Sequence, residues 1–250
     1  MAVENKQQLV GLVSGSASTL GEIFDATKDG RLPRTELALV ISSNPNAGSY
    51  ERFKKKNGFD MDRFVVIDPD NYPSLEAYGD EVLRRSWEAG PDIVGQYGHT
   101  PMTPGHVIVD FGNNNVDMIN QHPGPVDPSL WDFGGEGMSS APRVHAARLI
   151  FVRETGRNYW TDVIAQRVGV RFDGGKVLKR GRVEILPTDT VDDLQERAIV
   201  VERQIQIETL RDYEEGKVEE LPPYDDLVEP GERLLLQTIK RLVRRLYPAE

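Results

Sequence analysis

The sequence predicts an α/β fold built on a mostly parallel, twisted sheet that helices cover on both faces. Short apolar runs at residues 8–15, 36–43 and 63–67 have the length and composition of buried strands. Helical patterns follow these runs at residues 20–28, 50–56 and 74–89, so strands and helices alternate along the chain. This alternation is typical of parallel strands that are joined by helical crossovers.

Composition places the chain among globular proteins and excludes several kinds of site. Hydrophobic residues make up 38% and charged residues 28% of the 250 residues, which is enough for a packed core. There is no cysteine, which excludes disulfides, thiolate metal sites and cysteine nucleophiles. The formal net charge of -10 argues against broad binding to nucleic acid or to a membrane surface.

No stretch of the sequence is apolar enough to predict a membrane span. The longest run without Asp, Glu, Lys or Arg lies between Asp92 and Asp110, and several Gly and Pro residues interrupt it. Residues 1–15 contain neither a long apolar segment nor a signal-cleavage pattern. We therefore expect a cytoplasmic protein.

The second half of the sequence changes character. Residues 116–121 predict another strand, which a loop rich in Gly, Pro and Ser follows at residues 124–142. Further strands are predicted at residues 163–172, 177–178 and 182–186, with a tight turn at Asp173-Gly174-Gly175. A long helix is predicted at residues 192–210. These patterns predict one domain at residues 1–210.

Residues 211–250 predict an acidic linker followed by a C-terminal amphipathic helix. The linker at residues 212–229 is dominated by Asp and Glu. In the helix, basic residues lie beside an apolar stripe that consists of Leu234, Leu235, Ile239, Leu242, Val243 and Leu246. Because the linker is acidic, we expect the helix to dock on its own domain or on a twin subunit of a homodimer rather than on a membrane.

Three segments place small or polar residues at predicted strand ends, where open α/β sheets bind their ligands. The first consists of Gly15, Ser16, Ala17, Ser18 and Thr19, between the first strand and the first helix. Small residues let backbone N–H groups approach a phosphate, and a helix N-terminus favours negative charge. The segment is equally consistent with a tight turn and an N-cap, because it contains neither of the common glycine-rich nucleotide motifs.

The other two segments contain Asn120, His122 and Asp173. Side chains two apart on a strand point the same way, so Asn120 and His122 can act on one carbonyl that develops negative charge. A carboxylate at Asp173 would favour the protonated form of a nearby imidazole. Taken singly, these residues are better explained as a core histidine and an ordinary Asp-Gly turn. The remaining histidines lack the spacing of metal ligands, so we predict no metal site.

Taken together, these segments resemble the folate-dependent formyltransferases, and in particular the branch that formylates glycinamide ribonucleotide (GAR). The resemblance spans residues 10–210 in the family's order. Its motifs are LVSGSASTLGEIFDA, LVISSNPNAGSYERFKKKNG, DPDNYPSLEAYGDEVLRRSWEAGPDIV, INQHPGPVDP and VRFDGGKVLKRGRVEILPTDTVDDLQERAIVVE. The resemblance implies the family's Rossmann-like formyltransferase fold, followed here by a C-terminal helical extension.

The resemblance also implies an activity. A formyl group would pass from 10-formyltetrahydrofolate, a co-substrate, to the primary amine of GAR in de novo purine biosynthesis. The family's catalytic trio falls on Asn120, His122 and Asp173, the ribose phosphate site on residues 15–19, and the contact to the sugar hydroxyls on Glu202. The positions that align with the folate pocket are Tyr97, Gly98, His99, Met102, Val170 and Arg171. The implied partners are these two small molecules, without nucleic acid or membrane.

The sequence departs from the family pattern around both substrates. Residues 95–101 read GQYGHTP and lack the arginine that usually ends this segment, and Leu75, Gln166 and Thr19 replace a family Arg, His and Asn. The sequence therefore leaves three alternatives open. These are formylation of another amine such as an amino-sugar nucleotide, hydrolysis of formyl-folate, and a non-catalytic folate- or nucleotide-binding relative.

Overall fold

The computed structural model describes residues 6–126, 131–138, 140–225 and 227–248. Strands and helices alternate through most of these ranges, as the sequence predicts. In chain order the elements are β1 (Gln7–Val13), α1 (Ser18–Asp29), β2 (Thr35–Ser42), α2 (Ser49–Lys54), β3 (Phe64–Val66), α3 (Leu75–Glu88), β4 (Ile93–Gln96), α4 (Gly105–Asn113), β5 (Asp117–His122), α5 (Ala141–Thr155), β6 (Trp160–Arg167), β7 (Val177–Glu184), α6 (Val191–Glu215) and α7 (Arg233–Leu246).

The strands of the described residues form a seven-stranded sheet in the order β3–β2–β1–β4–β5–β6–β7. β1 pairs in parallel with β2 and with β4, and β2–β3 and β4–β5 are parallel pairs as well. β6 and β7 form an antiparallel pair. The predicted α/β class with a mostly parallel sheet is therefore confirmed. Within the described ranges, none of the helices combines the length and hydropathy needed to cross a membrane.

The strands predicted in the second half of the sequence differ in extent from those in the structure. The predicted strand at residues 163–172 ends at Arg167, so residues 168–172 lie outside the sheet. The two short strands predicted at residues 177–178 and 182–186 are one continuous strand, β7. Gly181 interrupts the sequence pattern there, because a Cβ atom at this position would lie 2.4 Å from Cγ1 of Val201 on α6. The glycine marks a close approach of helix to strand and not a break in the strand.

The sequence pattern gave no helix at α4, which the structure contains. This helix is only nine residues long and follows a segment rich in Gly and Pro, which predicts irregular backbone. Its buried residues are Val107 and Phe111, one turn apart on one face. A short helix of this kind gains its stability from the packing of that face rather than from helix propensity.

The structure divides into two compact units. The first comprises the chain up to Asn120 together with Gln206–Val218. In its interior, Gly11 on β1 leaves room for the side chain of Leu20 on α1, since a Cβ atom on Gly11 would lie 2.4 Å from Leu20 Cδ2. The rings of Phe24 and Phe53 meet edge to face with centroids 6.4 Å apart. The first unit thus buries α1 and α2 against parallel strands.

The second unit comprises Gln121–Ile205 and Glu219–Glu250. Within it, α7 packs on α5, as expected for a helix that docks on its own domain. The core between them consists of Phe133, Met138, Val144, Ala146, Ala147, Phe151, Leu227, Leu236, Ile239 and Val243. The acidic linker leads into this helix, and the domain boundary at residue 210 stays a prediction.

The packing of α7 predicts unequal costs for two leucines on this helix. Leu236 is 1% exposed and Leu234 is 70% exposed. We expect Leu236→Ala to lower the free energy of unfolding by about 2–5 kcal/mol, because it leaves a cavity in the core. Leu234→Ala, the matched control, should change it by no more than about 0.5 kcal/mol. Urea unfolding followed by circular dichroism measures both. Equal losses would contradict the described docking of α7.

Candidate active site

β5 carries two of the predicted site residues near its carboxyl end. Asn120 is half-buried, and His122 is almost fully buried with 3% of its surface exposed. The Nδ1 atom of His122 lies 2.9 Å from the carbonyl oxygen of Gly124 and 3.2 Å from its amide nitrogen. The Nε2 atom has no hydrogen-bond partner among the described residues. One edge of the ring is therefore anchored to backbone, and the other is available for chemistry.

Asp173 lies beside the available edge of that ring. Its Oδ2 atom is 3.5 Å from His122 Nε2, and its side chain is only 10% exposed. The structure thus brings together the two residues that the sequence places about fifty positions apart. Nε2 and Oδ2 thus face each other across a short gap, as an arrangement that passes a proton between the two groups requires.

Two hydrogen bonds fix the Asp173 carboxylate. The backbone N–H of Gly135 donates to Oδ2 at 2.7 Å, and the side-chain amide of Gln166 on β6 donates to Oδ1 at 3.1 Å. Asp173 itself has a positive φ of 52°, a conformation that Asp tolerates better than most residues. Gln166, which the sequence marks only as a departure from the family, therefore orients a predicted catalytic residue.

Sequence reasoning missed the part of the loop that supports Asp173. Gly134 passes so close that a Cβ atom there would lie 2.7 Å from Asp173 Oδ2. The neighbouring Asp132 accepts a hydrogen bond from the Gly134 N–H at 3.0 Å, which closes a tight turn. The Gly-rich composition at residues 131–137 indicates a loop whose backbone can approach another segment closely. It does not indicate which segment that is.

The predicted phosphate segment joins β1 to α1 in the first unit. Gly15 and Ser16 are exposed, whereas Thr19 is buried. Ala17 adopts the left-handed conformation with φ 53° just before α1 begins at Ser18. The Ser16 carbonyl accepts a hydrogen bond from Arg52 Nε at 2.5 Å, which fixes the turn. Backbone N–H groups at the start of α1 are thus presented at an exposed turn, which suits an anion.

The predicted folate segment of the first unit contains one buried and one half-buried ring, those of Tyr97 and His99. Tyr97 is buried, and its hydroxyl has no hydrogen-bond partner in the described part of the chain. The His99 ring stacks on Tyr78 with centroids 6.4 Å apart, and the Tyr78 hydroxyl lies 3.4 Å from its Nε2 atom. Gly95 makes room for the Tyr97 ring, since a Cβ atom would lie 2.4 Å from it. Gly98 and Met102 are exposed.

The remaining predicted site residues lie in the second unit. Val170 and Arg171 are exposed in the connection between β6 and β7. Glu202 is buried on α6. No group of three or more His, Asp or Glu side chains within the described ranges is arranged to hold a metal ion. The role of each of these residues stays a prediction.

The chain is similar in sequence to individual known proteins. No model of a known protein family matches the chain. The chain is 28% identical over 214 residues to the phosphoribosylglycinamide formyltransferase of Schizosaccharomyces pombe. The matched region covers 81% of this chain and 94% of that protein. It is 26% identical over 209 residues to the protein of the same name from Dictyostelium discoideum, with coverage of 80% and 94%.

A solved structure extends the likeness to the fold. The crystal structure of glycinamide ribonucleotide transformylase 1 from Symbiobacterium toebii matches with a TM-score of 0.70 and 26% identity, over 87% of this chain and 95% of that one. This chain is a relative of the phosphoribosylglycinamide formyltransferases. The predicted resemblance, the predicted fold and the predicted class of formyltransferase-like enzyme are thereby confirmed.

Two histidines, the half-buried His99 and the buried His145, should stay neutral in the folded protein. Burial lowers the pKa of His99 to about 4. Burial and, to a smaller extent, the charge of nearby His122 lower the pKa of His145 on α5 to about 4. Both values lie below the ordinary value of 6.5. Between these pH values the unfolded chain therefore binds protons at the two rings and the folded chain does not. This contribution to stability is complete above pH 6.5 and is lost as the pH falls toward 4.

Proton NMR of the imidazole resonances checks this prediction. Between pH 7.5 and about 5.5, the His99 and His145 resonances should stay nearly constant in the folded protein. In urea, the same two resonances should titrate near the ordinary histidine value, which serves as the control. Titration of either ring near neutral pH in the folded protein would contradict its burial as a neutral group.

Proposed function

We propose that this protein transfers a formyl group from 10-formyltetrahydrofolate to the primary amine of glycinamide ribonucleotide, a step of de novo purine biosynthesis. The observation that carries the proposal is the unbonded Nε2 edge of His122, 3.5 Å from the Asp173 carboxylate, at the end of a parallel strand. The similarity to the phosphoribosylglycinamide formyltransferases of Schizosaccharomyces pombe and Dictyostelium discoideum supports it.

The proposed reaction is a direct attack on the formyl carbon. The amine nitrogen of GAR forms a bond to that carbon, and the formyl oxygen becomes an oxyanion. The Asn120 amide and the protonated His122 ring donate hydrogen bonds to the oxyanion, which lowers the barrier because preorganised donors stabilise charge where it develops. The bond from the formyl carbon to the folate nitrogen then breaks, so no covalent intermediate with the enzyme is needed.

The proton balance of this reaction gives Asp173 its role. The attacking amine must lose a proton, and the departing folate nitrogen must gain one. In the proposed mechanism, this proton travels by way of Asp173, His122 and a water molecule. The hydrogen bonds from Gly135 and Gln166 support the role, because they leave the carboxylate oriented toward His122.

The substrate-binding residues are part of the same proposal. Residues 15–19 at the start of α1 hold the ribose phosphate through backbone N–H groups, and Glu202 holds the sugar hydroxyls. The folate is proposed to contact Tyr97, Gly98, His99, Met102, Val170 and Arg171. The unpaired hydroxyl of buried Tyr97 supports a polar contact with a ligand. The cytoplasmic location and a homodimer stay predictions.

A direct assay tests the proposed function. Purified protein is mixed with 10-formyltetrahydrofolate and GAR, and the release of tetrahydrofolate is followed by absorbance. GAR-dependent release supports the proposal. Release without any amine would instead indicate a formyl-folate hydrolase, and release only with an amino-sugar nucleotide would indicate a different acceptor. Folate binding without turnover on any of these would indicate a non-catalytic relative.

The proposed roles predict a large effect of one substitution. His122→Ala should lower kcat by about 10²- to 10⁴-fold, because it removes an oxyanion donor and a step of the proton path. His106→Ala is the matched control, since this histidine is exposed and pairs only with Asp80 at 3.0 Å in the described structure. It should keep kcat within about twofold. A His122→Ala enzyme with near-normal kcat would contradict the mechanism.

A further inference from the structure

Lys240 differs from the other basic residues of α7. Its side chain is only 19% exposed, whereas Arg241 and Arg245 are exposed on the same helix. Lys240 follows Ile239 and lies one helical turn after Leu236, and both of these residues belong to the core shared with α5. The lysine therefore extends from the apolar side of the helix into the second unit.

The Lys240 ammonium contacts the Gly-rich loop that precedes α5. Its Nζ atom donates a hydrogen bond to the carbonyl oxygen of Gly134 at 2.7 Å. The same atom lies 3.6 Å from Oδ1 of Asp132, whose side chain is 9% exposed. That Oδ1 atom also accepts the Gly134 N–H. The lysine thus binds the turn at residues 132–134 through both a carbonyl and a carboxylate.

This turn leads directly to Asp173. The residue after Gly134 is Gly135, whose N–H donates to Asp173 Oδ2 at 2.7 Å. The same oxygen is the one that lies 3.5 Å from His122 Nε2. Three contacts therefore connect the C-terminal helix to the histidine ring, and all of them lie within the second unit.

Placing an ammonium group at this half-buried position has a cost in free energy. Burial lowers the pKa of Lys240, and the Asp132 carboxylate opposes this shift, with a further contribution of the same sign from the charge of Asp173. The neighbouring core positions Leu236, Ile239 and Val243 are apolar. Because apolar residues of similar size often replace buried ion pairs without loss of stability, packing alone does not account for a lysine here.

We propose that Lys240 is a positioning residue for Asp173. By binding residues 132–134, it fixes the Gly135 N–H that holds the Asp173 carboxylate beside His122. This inference rests on the proposed function, in which Asp173 assists proton transfer. Lys240 touches neither substrate in this role, so its loss should slow the chemical step and leave substrate binding almost unchanged.

Steady-state kinetics of a double-mutant cycle test the inference. The four proteins are the wild type, Lys240→Met, Asp173→Asn and the double variant. Lys240→Met keeps most of the stem and should lower kcat about ten- to a hundredfold, with both KM values within about twofold, because a small displacement of a catalytic group is costly. In the Asp173→Asn background, the same substitution should lower kcat less than about twofold.

Two further variants keep the test decisive. Arg245→Met removes the same charge from an exposed position of α7 and should leave kcat and both KM values unchanged. If Lys240→Met fails to fold, Asp132→Asn takes its place in the cycle, since it removes the carboxylate that Lys240 contacts. It should then give the same loss of kcat and the same dependence on Asp173.

An NMR measurement separates this inference from the proposed function. The amide resonance of Gly135 should shift in Lys240→Met and stay in place in Arg245→Met, whatever reaction the protein catalyses. If the wild-type protein transfers no formyl group, the proposed function is wrong. The shift of the Gly135 amide resonance would still report whether Lys240 holds the loop. An unchanged kcat, independent losses in the cycle, or an unmoved Gly135 resonance would each overturn the role of Lys240.

Discussion

The close approach of the Asp173 carboxylate to the His122 ring is the contact on which the proposed site depends. Both side chains are too little exposed for water to complete their hydrogen bonding. Groups of the surrounding chain therefore have to provide their hydrogen bonds. Backbone of Gly124 anchors the ring, and Gly135 and Gln166 anchor the carboxylate. The loop at residues 131–138 supplies the Gly135 N–H, and Lys240 on α7 contacts the same loop at Gly134.

The sequence predicts the fold well because the first unit repeats a simple pattern. Apolar runs that alternate with amphipathic helices indicate a parallel sheet. The helix predicted at residues 74–89 is α3, and Ser74 caps its start by accepting the Ala77 N–H at 3.2 Å. The pairing of His122 with Asp173 follows from the resemblance to the formyltransferases. Neither residue alone carried enough information, because isolated histidines and Asp-Gly turns are common.

The unpredicted parts depend on contacts between distant segments. Gln166 and Gly135 approach Asp173 from different elements, and nothing in the local pattern links them. The sequence places Lys240 among the basic residues that lie beside the apolar stripe of α7, and the pattern does not distinguish it from Arg241 or Arg245. The hydrogen bond from Lys240 to the Gly134 carbonyl joins two distant segments, so it can be identified only from the tertiary structure.

The most direct test of the central pair measures whether its two members act as one unit. Values of kcat are compared for the wild type, His122→Ala, Asp173→Asn and the protein with both substitutions. If the carboxylate acts through the ring, the double variant should be about as slow as the slower single variant, since groups that act together lose their effect together. Losses that multiply would show that Asp173 and His122 act independently, and the account of the site would be wrong.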